Sequence, residues 1–119
     1  MWFRLATMLV RALAALLRPV MRRIVVDGVS MIPTYQPGEY VWALRRWRPL
    51  RAEMVVVVGL PDDISREIMK RVESVTGDTA WLTGDNSHAS TDSRSFGAVS
   101  NRAITWVVYP QRSAIPLST

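Results

Sequence analysis

Cysteine is absent from the chain. Disulfides, thiolate metal sites and a cysteine nucleophile are excluded with it. Lysine is almost absent: of 15 basic residues, 14 are Arg and only Lys70 is Lys. Arg keeps its proton at any ordinary pH, whereas a buried Lys can lose it. A chain built on Arg that keeps one Lys points to an amine that deprotonates. GC-rich codon usage explains the 14 Arg equally well, but not where the exception falls. Histidine occurs once, at His88 in a polar loop, where a lone imidazole is ordinarily solvated. A long apolar run is also missing, because Arg11 interrupts the N-terminal one well short of the ~20 residues of a spanning helix.

Acid is missing from residues 1–23, which carry five Arg and supply the whole net charge of +5. Residues 24–119 hold ten basic and ten acidic side chains and are neutral. A nucleic-acid-binding domain carries its basic residues on the folded body, so no nucleic-acid partner is expected. Residues 2–18 read as a helix, without Gly or Pro. Arg4, Arg11, Arg18 and Arg22 fall within about 40° on its wheel. A cationic stripe opposite a wide apolar face fits a helix lying in the headgroup plane of anionic lipid. Packing on the body or on a second subunit, a signal peptide, and a tilted span with snorkelling arginines are the alternatives.

The 119 residues, 49% of them apolar, suffice for one modest domain. Three parts are expected: a membrane-surface helix over 1–23, a core over 24–110 and a flexible tail over 111–119. The core reads as six short strands with polar turns. They are 24–27, 39–44, the Val-rich 54–60, 65–75, 80–83 and 103–109, with a basic connector at 45–51. The expected fold is mostly β, a compact antiparallel core preceded by one amphipathic helix. Residues 54–60 should be buried on both faces. On strand 65–75, alternation puts Ile68, Lys70, Val72 and Ser74 on one face. Lys70 between aliphatic neighbours would be desolvated, which lowers its pKa toward that of a useful base. Periodicity alone also allows, and favours, a lysine at a strand edge that snorkels to water.

Three segments resemble the boxes of signal peptidase I and its S26 relatives. Ser30-Met31-Ile32-Pro33-Thr34 is similar to the nucleophile box Ser-Met-x-Pro-Thr. Met69-Lys70-Arg71-Val72 is similar to the Lys-Arg-Val box. Gly84 to Gly97, with Asp85-Asn86, Ser90, Asp92-Ser93-Arg94, is similar to Gly-Asp-Asn-x-x-x-Ser-x-Asp-Ser-Arg-x-x-Gly. They stand in the family's order, and the resemblance covers about residues 24–110.

The resemblance implies a serine endopeptidase with Ser30 as nucleophile and neutral Lys70 as general base. It implies that Ser90 hydrogen-bonds and orients the Lys70 amine. The Ser30 backbone N–H would contribute to the oxyanion hole. Asp92 and Arg94 resemble the family's structural ion pair, and Asp85 and Asn86 read as turn-formers that place Ser90. Gly28 stands where some relatives carry a hydroxyl donor. No cofactor and no metal is implied. The partner is a precursor's leader peptide, bound as an extended strand. A bilayer surface would be met through residues 2–18, at the bacterial inner membrane on a side left open.

Only 13 residues separate Lys70 from Gly84, where typical bacterial signal peptidases carry an extra domain or insertion. That minimal build, and Thr91 to Arg94 followed by Phe96-Gly97, resemble the nickel-type superoxide dismutase maturation proteases. Two alternatives stand beside this reading: a minimal signal peptidase acting on exported precursors, and a non-catalytic membrane-surface module.

Overall fold

The computed structural model describes residues 2–16 and 20–114. Helix α1 spans Trp2–Leu16, so residues 17 and 18 of the expected helix lie outside the described residues, Arg18 among them. Strand β1 follows at Met21–Val25, then β2 at Tyr40–Arg45 and β3 at Val55–Leu60. Strands β4 (Asp63–Thr76) and β5 (Thr79–Thr83) form a hairpin. A one-turn helix α2 (Ser93–Phe96) precedes β6 (Val99–Ser100) and β7 (Trp106–Tyr109). All seven strands join one sheet in the order β1-β2-β7-β3-β4-β5-β6, with every pair antiparallel. The mostly β antiparallel core expected from the sequence is what forms.

Strand β3 holds the centre. Val55 and Val57 point into one apolar cluster with Val26, Met31, Tyr35, Val41 and Val108. Val56 and Val58 point into another with Leu50, Val72, Ala80, Leu82, Val99 and Ile104. The strand is buried on both faces as its unbroken Val run predicts, and each such Val contributes roughly 1.5–3 kcal/mol by burial. Burial on both sides fixes β3, and with it the register of β4, in which Lys70 lies opposite Val56.

Four sequence readings need correction. The helix-to-strand change falls earlier than residue 24, because Arg22 and Arg23 belong to β1. Arg22 is therefore no part of a helical cationic stripe; it forms a two-pronged ion pair with Glu67 of β4, at 3.1 and 2.7 Å. Among the described residues there are seven strands, the extra one being the two-residue β6, too short for any periodicity to show. The 65–75 alternation breaks at a bulge, where Val72 faces Leu82 but Ser74 faces Trp81. The additional residue, Glu73, reverses the parity beyond it, so Ser74 is exposed and Val75 packs on the cluster around Val72.

The fourth correction concerns the tail. Residues 115–119 lie outside the described residues, but Gln111 and Arg112 are held firmly. Arg112 pairs with Glu39 and donates to Thr34 O. Gln111 accepts from Val55 N at 2.9 Å and donates to Val55 O at 2.8 Å and Val108 O at 2.6 Å. Its side chain continues the β3–β7 ladder beyond its last backbone pair, Val56 with Val107. In Gln111→Ala, fully buried Val55 keeps an unpartnered N–H and C=O on that edge. A loss of about 1–3 kcal/mol is expected in denaturant unfolding; an unchanged midpoint would show that water replaces the amide at no cost.

Candidate active site

The loop that carries Ser30 is anchored on both sides by its own sequence. Gly28 has φ of 75°, a left-handed conformation that suits glycine and lets the chain turn out of β1. That requirement explains glycine where some relatives place a hydroxyl. After the turn, Met31 and Tyr35 plug the apolar cluster beside β3, and the Tyr35 hydroxyl donates to Pro110 O at 2.6 Å. The Thr34 hydroxyl donates to Asp85. From the polar loop, Asn86 donates its N–H to Ser30 O at 2.8 Å and its side-chain amide to Val29 O at 3.1 Å. Ser30 is left at the mouth of a cleft, and no acceptor among the described residues takes its backbone N–H.

Lys70 reaches this serine from β4. Its side chain is buried, with only 3% of the residue exposed, and its Nζ lies 2.8 Å from Ser30 Oγ as a hydrogen-bond donor. The same separation serves the reversed bond, in which the Ser30 O–H donates to a neutral amine. Desolvation lowers the Lys70 pKa below its ordinary 10.5, and the negative charge of Asp92 opposes this.

Asp92 is fully buried, yet its charge is well compensated. Arg94 donates Nε to Oδ1 and Nη2 to Oδ2, both at 2.9 Å. Gly84 N–H and the Ser90 hydroxyl donate to Oδ2 at 3.0 and 2.9 Å. Burial pushes the Asp92 carboxyl pKa up. The Arg94 guanidinium, the Gly84 N–H and the Ser90 hydroxyl outweigh it and hold the group well below the usual carboxylate range. A carboxylate so engaged pulls less on the Lys70 proton, which helps keep the amine's pKa down.

The cleft itself, of about 480 Å³, runs between two strand edges. One wall is Ile24 to Met31, and the other is Arg66 to Lys70. Strand β1 pairs only with β2, and β4 pairs with β5 only from Arg71 onward. The curl of the sheet thus brings two unpaired edges face to face, tied at one end by Arg22–Glu67 and ending at Ser30 and Lys70 at the other. Val57, Ala89 and Thr91 complete the lining.

A family model described as signal peptidase, peptidase S26, matches residues 1–81, a span that includes both Ser30 and Lys70. The chain belongs to the signal peptidase S26 family. It is a serine peptidase of the signal-peptidase type. No curated protein matches it. The matched span stops before Gly84, so in this S26 peptidase the roles of the polar loop rest on its contacts.

Those contacts differ from the sequence reading at two places. Ser90 does not bond Lys70: its hydroxyl donates to the buried Asp92 carboxylate, while the Lys70 amine is directed at Ser30 Oγ. Asp85 and Asn86 do more than turn the chain toward Ser90. Asn86 holds the Ser30 loop, and Asp85 forms a buried two-pronged pair with Arg71, both bonds at 2.8 Å. Gly84 permits the close approach: a Cβ there would lie 2.2 Å from Ser90 Oγ and 2.7 Å from Ser30 O. Arg71, next to Lys70 on β4, falls on the opposite face by alternation, and no spacing rule links it to Asp85. His88 lies exposed on a one-turn 3₁₀ segment, and Ser30's hydrogen-bond partner is Lys70.

A depressed lysine pKa has a cost in stability. Between that pKa and 10.5 the unfolded chain binds more protons than the folded one, so stability rises with pH across this window. Lys70→Met removes the proton and keeps the apolar stem. The variant is expected to be more stable than the parent near neutrality, with the gap closing by up to about 1.4 kcal/mol per pH unit toward 10.5. Paired unfolding curves across pH check this; a gap independent of pH would contradict it.

Proposed function

We propose that this S26 peptidase removes an N-terminal leader from a precursor protein by a Ser30–Lys70 dyad. The observation that carries the reading is the 2.8 Å contact of a desolvated amine with Ser30, the only serine among the described residues that line the cleft. In the proposed reaction Ser30 Oγ attacks the scissile carbonyl carbon and Lys70 takes its proton. The oxyanion meets the uncommitted Ser30 N–H. The Lys70 ammonium then gives the proton to the leaving amine as the C–N bond breaks, leaving an ester on Ser30. Water, deprotonated by Lys70, hydrolyses the ester and regenerates both groups. Ser90, Asp92 and Arg94 act as positioning residues, fixing the loop and limiting the field at the amine.

The leader is proposed to enter as an extended strand between the two unpaired edges, hydrogen-bonding along either wall. The precursor is proposed to be a nickel-type superoxide dismutase. In support, the 13 residues between Lys70 and Gly84 are taken up by the β4–β5 hairpin, with only Gly77 and Asp78 between its strands. That leaves no room there for the insertion of larger signal peptidases. Helix α1 is proposed to lie on a bilayer surface: Leu5, Met8, Leu9, Val10 and Leu13 are all exposed. No helix among the described residues is long and apolar enough to cross a membrane.

The test offers purified enzyme a nickel superoxide dismutase precursor and, separately, an exported precursor, with products read by mass. Cleavage of the dismutase precursor alone is expected. Ser30→Ala should abolish it, and Lys70→Ala should lower kcat/KM by about 10²–10⁴-fold. Cleavage of the exported precursor instead would replace the substrate assignment and leave the dyad standing. Cleavage that survives in Ser30→Ala would overturn the mechanism.

A further inference from the structure

The loop that carries Ser30 is closed at its base by its own backbone. Val26 N–H bonds to Glu39 O and Gly38 N–H to Val26 O, both at 2.8 Å. The polar loop grips one side of it, through Asn86 at Val29 and Ser30 and through Asp85 at the Thr34 hydroxyl. The other side is gripped by a strap, residues 110–112, that follows β7. Pro110 O accepts from the Tyr35 hydroxyl, and the Arg112 guanidinium lies 4.7 Å from the Tyr35 ring. Arg112 Nη1 donates to Thr34 O at 3.1 Å and to Glu39 Oε1 at 2.9 Å, while Nη2 donates to Glu39 Oε2. One guanidinium thus holds three residues of the loop. The strap is itself fixed, because the Gln111 amide is bonded to Val55 and Val108.

Thr34 is where the two grips meet. It is buried, with its hydroxyl on Asp85 and its carbonyl on Arg112. Ser30 lies about one turn back along the chain, and that turn is braced by the bond from Tyr35 N–H to Met31 O at 3.0 Å. Asp85 in turn holds Arg71, the neighbour of Lys70 on β4. The frame that sets Ser30 against Lys70 therefore runs through Arg71, Asp85 and Thr34 and ends at Arg112.

An ion pair open to solvent adds little to global stability. The Arg112–Glu39 pair is of that kind, with side chains 37% and 25% exposed. What it supplies is geometry. A guanidinium offers its donors in a fixed plane, and a misplacement of about 1 Å at reacting groups can cost about 10²-fold in rate.

We propose that Arg112 is a positioning residue for the reaction, keeping Ser30 Oγ within reach of the Lys70 amine by holding the Thr34 carbonyl and Glu39 from the strap. The inference rests on the Ser30–Lys70 dyad of the proposed function. Arg112 is not among the described residues that line the cleft, so its loss should leave the leader's binding edges in place.

The experiment uses the full-length enzyme and two readouts. One is kcat and KM on a peptide spanning the leader junction of a nickel superoxide dismutase precursor, or of the exported precursor if that is the one cut. The other needs no chemistry: amide hydrogen exchange at Asn86 N–H, which bonds to Ser30 O, against Val72 N–H, which bonds to Met54 O. Arg112→Ala is expected to lower kcat on the order of 10-fold with little change in KM. It should speed exchange at Asn86 by a similar factor and leave Val72 protected. Arg112→Lys keeps the charge and a donor and should recover part of both. Arg46→Ala, which removes bonds to the carbonyls of Ile104, Arg48 and Asn101, should lower the unfolding midpoint, keep the parental kcat and speed Asn86 no more than Val72. Parental kcat in Arg112→Ala overturns the proposal, whatever its exchange. An equal loss of kcat in Arg46→Ala would reduce the effect to general destabilisation and also overturn it. Failure of the dyad reads differently: cleavage would then survive Ser30→Ala, and faster Asn86 exchange in Arg112→Ala would still show the strap holding the loop.

Discussion

One amine, kept dry and 2.8 Å from a hydroxyl, is the constraint around which this S26 peptidase is arranged. An ammonium in water holds its proton far too tightly to serve as a base near neutrality. Only the loss of hydration brings its pKa down. That loss requires a strand whose inner face is already closed, and the doubly buried β3 supplies it. Val56 lies opposite Lys70, while Val58 and Ile68 pair beside it on the same face. Burial of this kind works against stability, which ties the chemistry to the fold's own energetics.

A second condition is electrostatic. A bare carboxylate near Lys70 would restore its proton, yet the site loop needs Asp92 to draw Gly84, Ser90 and Arg94 together. The two demands are met because Asp92 receives its bonds from all three. Arg71 and Asp85 do the same work farther out, linking β4, the polar loop and, through Thr34, the loop that carries Ser30. Ser30 and Lys70 therefore sit between two compensated ion pairs, and neither ion pair contributes a free charge to the cleft.

Much of this was legible in the residues. The Val run at 55–58 announced a doubly buried strand because no polar residue interrupts it. The single Lys among fourteen Arg marked a buried amine, and the structure places it beside the Ser30 hydroxyl. What stayed hidden was long-range or irregular. The Glu73 bulge inserts one residue and reverses alternation, which a period-2 pattern cannot register. The partners Arg71–Asp85 and Arg22–Glu67 depend on how the sheet curls, not on spacing. That the Ser90 hydroxyl binds Asp92 and the Lys70 amine binds Ser30 is decided by how the loop places the two serines, which no spacing reveals. Gln111, read as the start of a tail, completes a ladder because β3 begins one residue beyond its last backbone partner on β7.

Because the chain contains a single lysine, labelling lysine with ¹³C at Cε gives one side-chain resonance, and its titration reports Lys70 alone. The account predicts a pKa below 10.5 in the folded enzyme, returning to the ordinary value when the chain is unfolded. A folded-state Lys70 that titrates at 10.5 or above would contradict it, since the amine beside Ser30 would then be an ammonium at neutral pH and no base at all.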